Sequence, residues 1–208
     1  MIERLLNLLD EFARRLNTQP HSFYAKFDVR VPASSEEIDR FRDHFGDRAV
    51  EDLVLLWASA GGIEFEWFLK MAGAQIAGID SRVAPSGQLH LLTPDDVIKE
   101  AIFLEELAGV TDDSLPLVPF AKLKPNGEVL ALDTSVNGGA VVLVFLDLIL
   151  SVVPLADSLD VWLKQRLAVY FEDSSLIPDG EINPVAKSVL DAVSARTLIW
   201  PPKGSRLR

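Results

Sequence analysis

Cysteine is absent from this 208-residue chain, which removes disulfides and thiolate metal sites from consideration and is compatible with a reducing cytoplasm. Histidine is scarce. His21, His44 and His90 fall in separate predicted elements, none with a second histidine at metal-ligand spacing, so no metal centre is expected. An uninterrupted long apolar run is also missing. The nearest approach, GGAVVLVFLDLILSVVPLA from Gly138 to Ala156, carries Asp147 inside it and Pro154 near its end, whereas a membrane span needs about 20 apolar residues and tolerates a central carboxylate poorly. Its density of Val and Ile predicts two buried strands turning near Asp147. The N-terminal MIERLLNLLDEFARRL places Arg4 and Asp10 inside its apolar pattern and lacks a small-residue cleavage site. An amphipathic helix is therefore expected there in place of a signal peptide.

Positive charge is sparse in the middle of the chain. The net charge is -11, and residues 49–150 hold 5 Lys+Arg against 15 Asp+Glu while the flanks are nearly balanced. Such a field repels nucleic acid and anionic membrane and speeds association with a basic protein; it is equally the solubility feature of an ordinary acidic cytosolic protein. With 49% hydrophobic residues the chain can build one sizeable core, and a single domain over residues 1–208 is expected.

Ile2, Leu5, Leu6, Leu9, Phe12, Ala13 and Leu16 recur at helical spacing, which predicts a packed N-terminal helix. A connector with a short strand over 27–31 follows. Next comes a helix capped by Ser34 or Ser35, striped by Ile38, Phe41 and Phe45 and stopped at Gly46, then a second helix over about residues 49–60. In WASAGGIEFEW, Trp57 to Trp67, the Gly61-Gly62 pair follows a helix and has no Gly-Lys-Ser/Thr behind it, which argues against a Walker loop and against a dinucleotide fingerprint. A helix end needing a residue at positive φ is the expected reason for the pair. Beyond it the period changes to two, with Ile63, Phe65 and Trp67 on one face and Glu64 and Glu66 on the other.

Further strands are expected at 75–80 and 88–92, separated by a turn at APSG, and a helix capped at Thr93 and ended by Gly109 follows. Residues 117–123 and 128–133 around a PNG turn read as a hairpin, and two strands lie within 140–153. ADSLDVWLKQRLAVYF, residues 156–171, and residues 183–195 are the last expected helices. Hairpin-linked strands flanked by helices give an α+β fold: a mainly antiparallel twisted sheet with helices packed around it.

Three stretches carry a family resemblance. SEEIDRFRDHFGDRAVEDLVLLWASAGG is similar to the opening of the SUKH superfamily, known for fungal cell-wall-assembly regulators and for immunity proteins of bacterial toxin systems. LVPFAKLKPNGEVLALDTS resembles its central hairpin, and VVPLADSLDVWLKQRL resembles its strand-to-helix closure. The resemblance implies a SUKH-like core over 35–172, an N-terminal helical extension over 1–30 and a C-terminal helix and tail over 173–208. It implies a cytoplasmic, non-enzymatic protein-binding module without cofactor, monomeric or weakly dimeric, and most concretely an immunity protein that neutralises a cognate toxin by occlusion. The acidic middle segment would suit a basic nuclease toxin. A regulatory scaffold is the alternative the fungal relatives suggest.

The residues expected to meet a partner are Glu64, Glu66, Asp80, Asp95 and Asp96. Two strand residues advance about 6.6 Å, a separation compatible with the carboxylates of inverting glycosidases, so Glu64 and Glu66 admit three readings: the acid and base of a hydrolase, a solvated face, or an acidic binding strand. Asp95 and Asp96 stand in the first turn of a helix, where the dipole favours them. Asp112-Asp113 is not continued by an oxygen-ligand loop pattern, and Ser59, Ser86 and Ser158 lack a nucleophile-elbow context. No catalytic, metal-ligating or cofactor-binding residue is expected.

Overall fold

The computed structural model describes residues 2–18, 23–70, 86–109, 115–123, 128–136, 139–146 and 151–173, together with Lys187, Leu190 and Asp191. The fold is α+β as expected, with seven strands in an antiparallel sheet. The strands are β1 (Phe23–Arg30), β2 (Gly62–Leu69), β3 (Ser86–Leu91), β4 (Leu117–Lys122), β5 (Val129–Asp133), β6 (Ala140–Phe145) and β7 (Ser151–Ala156). Each lies beside its neighbour in sequence, in the order β1 to β7. The helices are α1 (Ile2–Asn17), α2 (Ser35–Phe45), α3 (Glu51–Trp57), α4 (Pro94–Ala108) and α5 (Leu159–Ala168), with a 3-10 turn at Gly46–Arg48. The strand expected over 75–80, the PNG turn and the turn near Asp147 lie outside the described residues, as does all of the last expected helix but three residues. By backbone proximity the chain divides into two compact units, one of Met1–Phe27, Phe65–Gln88 and Arg166–Arg208, the other of Asp28–Glu64 and Leu89–Gln165.

In the first unit α1 buries the stripe its spacing predicted, Leu5, Leu9, Phe12, Ala13 and Leu16. Phe12 stacks on Tyr170 with ring centroids 4.0 Å apart and meets Phe65 and Trp67 edge-on at 6.1 and 5.5 Å. Asn17 donates from its side-chain amide to the Ala25 carbonyl at 3.0 Å, tying the helix end to β1. That strand starts four residues before the expected 27–31, because Phe23 and Ala25 continue the inward alternation. Gly87, expected in a turn, is inside β3. A side chain there would overlap the indole of Trp67 and the Phe171 carbonyl, so its missing Cβ serves close packing within a strand.

In the second unit Ser34 caps α2 in a capping box: its hydroxyl accepts from the Glu37 N–H while the Glu37 carboxylate accepts from the Ser34 N–H at 2.7 Å. Gly46 at φ 55 ends α2 as expected. The following helix is shorter than the predicted 49–60. Ala49 donates to the Gly46 carbonyl to close the 3-10 turn and then runs extended, as does Val50, so α3 starts only at Glu51.

Gly61 and Gly62 correct the expectation of positive φ, since neither adopts it. Gly61 instead donates its N–H to the carbonyls of Arg30 and Val31 at 3.3 and 3.1 Å. A Cβ there would overlap the Val31 carbonyl oxygen, so the requirement is close approach of two backbones. Trp57 is fully buried, takes Phe41 edge-on at 4.8 Å and donates its indole N–H to the Leu92 carbonyl at 2.8 Å.

The expected hairpin is present as β4 and β5, with a register shift between Pro119 and Ala121. Pro119 has no N–H to give, and a bulge accommodates it. Leu104 of α4 packs on Leu117, Val129, Ala131, Val142 and Val144. Of the two strands expected to be buried, only β6 is. β7 is last in the sheet order and largely exposed or half-buried, and Pro154 in it is tolerated at an edge. α5 begins three residues later than predicted because the Ser158 hydroxyl accepts from the Val161 N–H at 3.3 Å and caps it. It ends early because Tyr170 and Phe171 turn to φ 47 and 58. No helix among the described residues is long and apolar enough to cross a membrane.

Candidate functional site

Within the second unit, residues 47–52 form one wall of an open concavity of about 340 Å³, and Thr134, Val136 and Gly139 form the other. That size lies at the low end for ligand clefts, roughly 300–1,000 Å³. The first wall is the 3-10 turn and the entry to α3; the second connects β5 to β6. Both are tied to the start of β4. The Arg48 guanidinium donates to the Leu115 carbonyl at 2.5 Å, and the Thr134 N–H and hydroxyl both donate to the Pro116 carbonyl, at 2.7 and 3.0 Å. Asp133 holds the second wall by accepting from the N–H and hydroxyl of Ser135, at 3.0 and 2.6 Å.

The lining is acidic in a selective way. Glu51 is neutralised by Arg42 at 3.0 Å, and the Arg48 guanidinium, besides bonding Leu115, sits 5.5 Å from the Phe45 ring. Asp47 and Asp52 have no ion pair among the described residues. Val136 is an exposed apolar side chain on the opposite wall. Two carboxylates without an ion pair among the described residues and an apolar contact surface suit a long cationic side chain, whose stem packs while its head is hydrogen-bonded. The sequence does not single out this place because Glu51 and Asp52 fall inside the helix expected over 49–60, while Asp47 falls in the short link before it. The signal was present in the acid-rich run from Asp47 to Asp52.

The expected partner-binding residues fare differently from one another. Glu64 and Glu66 are half-buried on β2 and alternate with buried Ile63, Phe65 and Trp67, as the period of two predicts. Asp95 and Asp96 come together in the first turn of α4, where both are already engaged. Asp95 accepts from the Arg40 guanidinium at 2.9 to 3.1 Å. Asp96 accepts from the Thr93 hydroxyl at 2.8 Å and pairs with Lys99 at 3.2 Å and Arg30 at 3.6 Å. Partial burial pushes the Asp96 carboxyl up, but the hydrogen bonds from Thr93 and Lys99 outweigh it and hold the carboxyl below its usual range. Asp80 lies outside the described residues. Glu100, buried on the inner side of α4, is paired with Lys122.

A second polar cluster closes the first unit. Arg166 and Glu172 are buried, Arg166 donates to the Glu172 carbonyl, and the Ser86 hydroxyl donates to Asp173 at 2.5 Å. Burial lowers the Arg166 guanidinium to about 10, against the opposing pull of Glu172 and Asp173. Burial also raises the Asp173 carboxyl, with Glu172 adding to the rise and Ser86 and Arg166 acting the other way. A raised carboxyl means that the folded state holds its proton more tightly than the unfolded chain. Stability from this group is therefore present at acid pH and lost as pH rises through the folded value. Asp173→Asn is expected to raise the thermal midpoint at neutral pH and to flatten this part of the pH dependence. Unfolding curves of the two proteins that keep a constant offset from acid to neutral pH would contradict that account.

No three His, Asp or Glu among the described residues are grouped to hold a metal ion. No protein-family model matches the chain, and a search of curated proteins finds no significant relative.

Proposed function

We propose that this chain is a non-enzymatic protein-binding module of the SUKH type, most concretely a cytoplasmic immunity protein that neutralises a basic toxin by covering it. The observation that carries the reading is the concavity whose Asp47 and Asp52 have no ion pair among the described residues. Glu51, Asp95, Asp96 and Glu100 are by contrast compensated within the chain. A protruding Lys or Arg of the partner would enter between the two walls, and the acidic field of residues 49–150 would steer its approach. Binding would be fast and salt-sensitive, and the partner would be silenced by occlusion.

The test is co-purification of the tagged chain from cells expressing the neighbouring open reading frames. The expected result is one basic protein, released by salt and bound about tenfold more weakly, or ~1.4 kcal/mol, by the Asp47→Asn/Asp52→Asn variant. Recovery of no partner, or of acidic partners alone, sinks the reading. A basic partner held equally well by the variant removes the concavity from it.

A further inference from the structure

We infer that the outer face of the second half of α4 is a docking surface for a basic amphipathic helix of a partner protein. This inference rests on the reading of the chain as a protein-binding module and extends it to a second surface.

Three features of α4 support it. The helix already buries a full inward stripe, Val97, Glu100, Ala101 and Leu104, so its remaining apolar residues are not needed for the core. Ile102, Phe103 and Leu107 are nonetheless large and 43, 45 and 43% exposed. Phe103 and Leu107 stand one turn apart on one face, and Ile102 lies about 100° round the helix from Phe103 with Glu106 between them. Single exposed apolar residues are ordinary, but neighbours on successive turns mark an interaction site.

The charge on this face is also against local preference. The last turn of α4 contains no basic residue and carries Glu105 and Glu106, where the helix dipole is negative and carboxylates are disfavoured. Neither glutamate has an ion pair among the described residues. Lys99, the one basic residue within α4, is committed to Asp96 at 3.2 Å. A sequence that breaks a local rule without internal compensation points to a role outside the element.

The chemistry fixes the occupant. A helix with an apolar stripe flanked by Lys or Arg would cover Ile102, Phe103 and Leu107 and neutralise Glu105, Glu106 and the helix end together. A second copy of the chain would bring the same uncompensated glutamates to the interface, and an anionic bilayer would be repelled by them. The patch belongs to the same unit as the concavity, and Leu115, whose carbonyl takes Arg48, packs against the cluster that contains Leu104.

The experiment is a titration of a fluorescently labelled synthetic peptide of leucine and lysine at helical spacing, followed by anisotropy, with the full chain. A scrambled peptide of the same composition and charge is the control. Wild type is expected to bind the amphipathic peptide at least tenfold more tightly than the scrambled one. Phe103→Ser and the Glu105→Lys/Glu106→Lys double variant are each expected to lose about tenfold. Asp47→Asn/Asp52→Asn is expected to weaken both peptides alike and so to leave their affinity ratio at the wild-type value, which separates this surface from the concavity. Thermal unfolding of Phe103→Ser reports whether its fold is kept, and the glutamate variant tests the surface without touching an apolar residue. Equal binding of the two peptides overturns the inference, as does unchanged binding by both variants. Concentration-dependent dimerisation abolished by Phe103→Ser would overturn it in favour of self-association.

Discussion

Gly61→Ala is expected to destabilise the protein by about 3 kcal/mol, the upper part of the range for overpacking in a tight interior. The reason is steric alone, because Gly61 is not at positive φ and alanine has no difficulty with its backbone conformation. The added methyl would overlap the Val31 carbonyl and stand 3.3 Å from the Ala33 N–H nitrogen. Both atoms are backbone, so no flexible side chain can move aside. Relief requires pulling apart the segment in which Gly61 donates to Arg30 and Val31 and Ala33 donates to the Trp57 carbonyl at 2.9 Å. Denaturant unfolding gives the loss directly. Gly109→Asn is the control, since Gly109 is in the left-handed region with open space where its Cβ would be, and asparagine tolerates that conformation. A loss for Gly61→Ala no larger than that of the control would show that the two backbones are not locked together.

Trp67→Ala is expected to cost about 4 kcal/mol, in the range for truncating a buried aromatic. Trp67 is fully buried, meets Phe12 edge-on at 5.5 Å, and donates its indole N–H to the Tyr170 carbonyl at 2.9 Å. Removing it leaves a cavity beside Gly87, which cannot fill it, and a carbonyl without its donor. Tyr170 is one of two successive residues at positive φ, so the lost hydrogen bond also releases a turn that side chains rarely adopt. Trp67→Phe separates the two contributions: it keeps most of the packing and is expected to lose about 1–2 kcal/mol through the unmade hydrogen bond. Equal losses for the two variants would assign the whole effect to that bond.

Much of the fold was legible because its signals are local. Ser34, Gly46, Thr93 and Gly109 mark helix ends by their own backbone and side-chain chemistry, and the alternation Ile63, Phe65, Trp67 sets the buried face of β2. What failed to show depends on residues distant in sequence. The need for glycine at 61 comes from Val31, and at 87 from Trp67 and Phe171, neither of which a local window contains. The end of α5 is fixed by Phe171 accepting from the Gln88 N–H at 3.1 Å, again a tertiary contact.

The candidate site was less legible for a related reason. Counting acids finds the negative segment but cannot tell which carboxylates are neutralised. Arg40 reaches Asp95 across 55 positions and Lys122 reaches Glu100, so these acids are neutralised while Asp47 and Asp52, in an acid-rich run of their own, have no ion pair among the described residues.

The order of the strands bears on how the chain is made. Since every strand of the sheet lies beside its neighbour in sequence, pairing can follow synthesis, each new strand adding to the one before it with little loop-closure cost. α1 is the exception: it precedes every strand of the sheet in chain order, yet Phe12 stacks on Tyr170 and is completed only when that residue appears. Until then its apolar stripe has no finished site, so α1 waits for a residue beyond the last strand, and a nascent protein stopped before residue 170 would display α1 to the chaperones that meet unfinished chains.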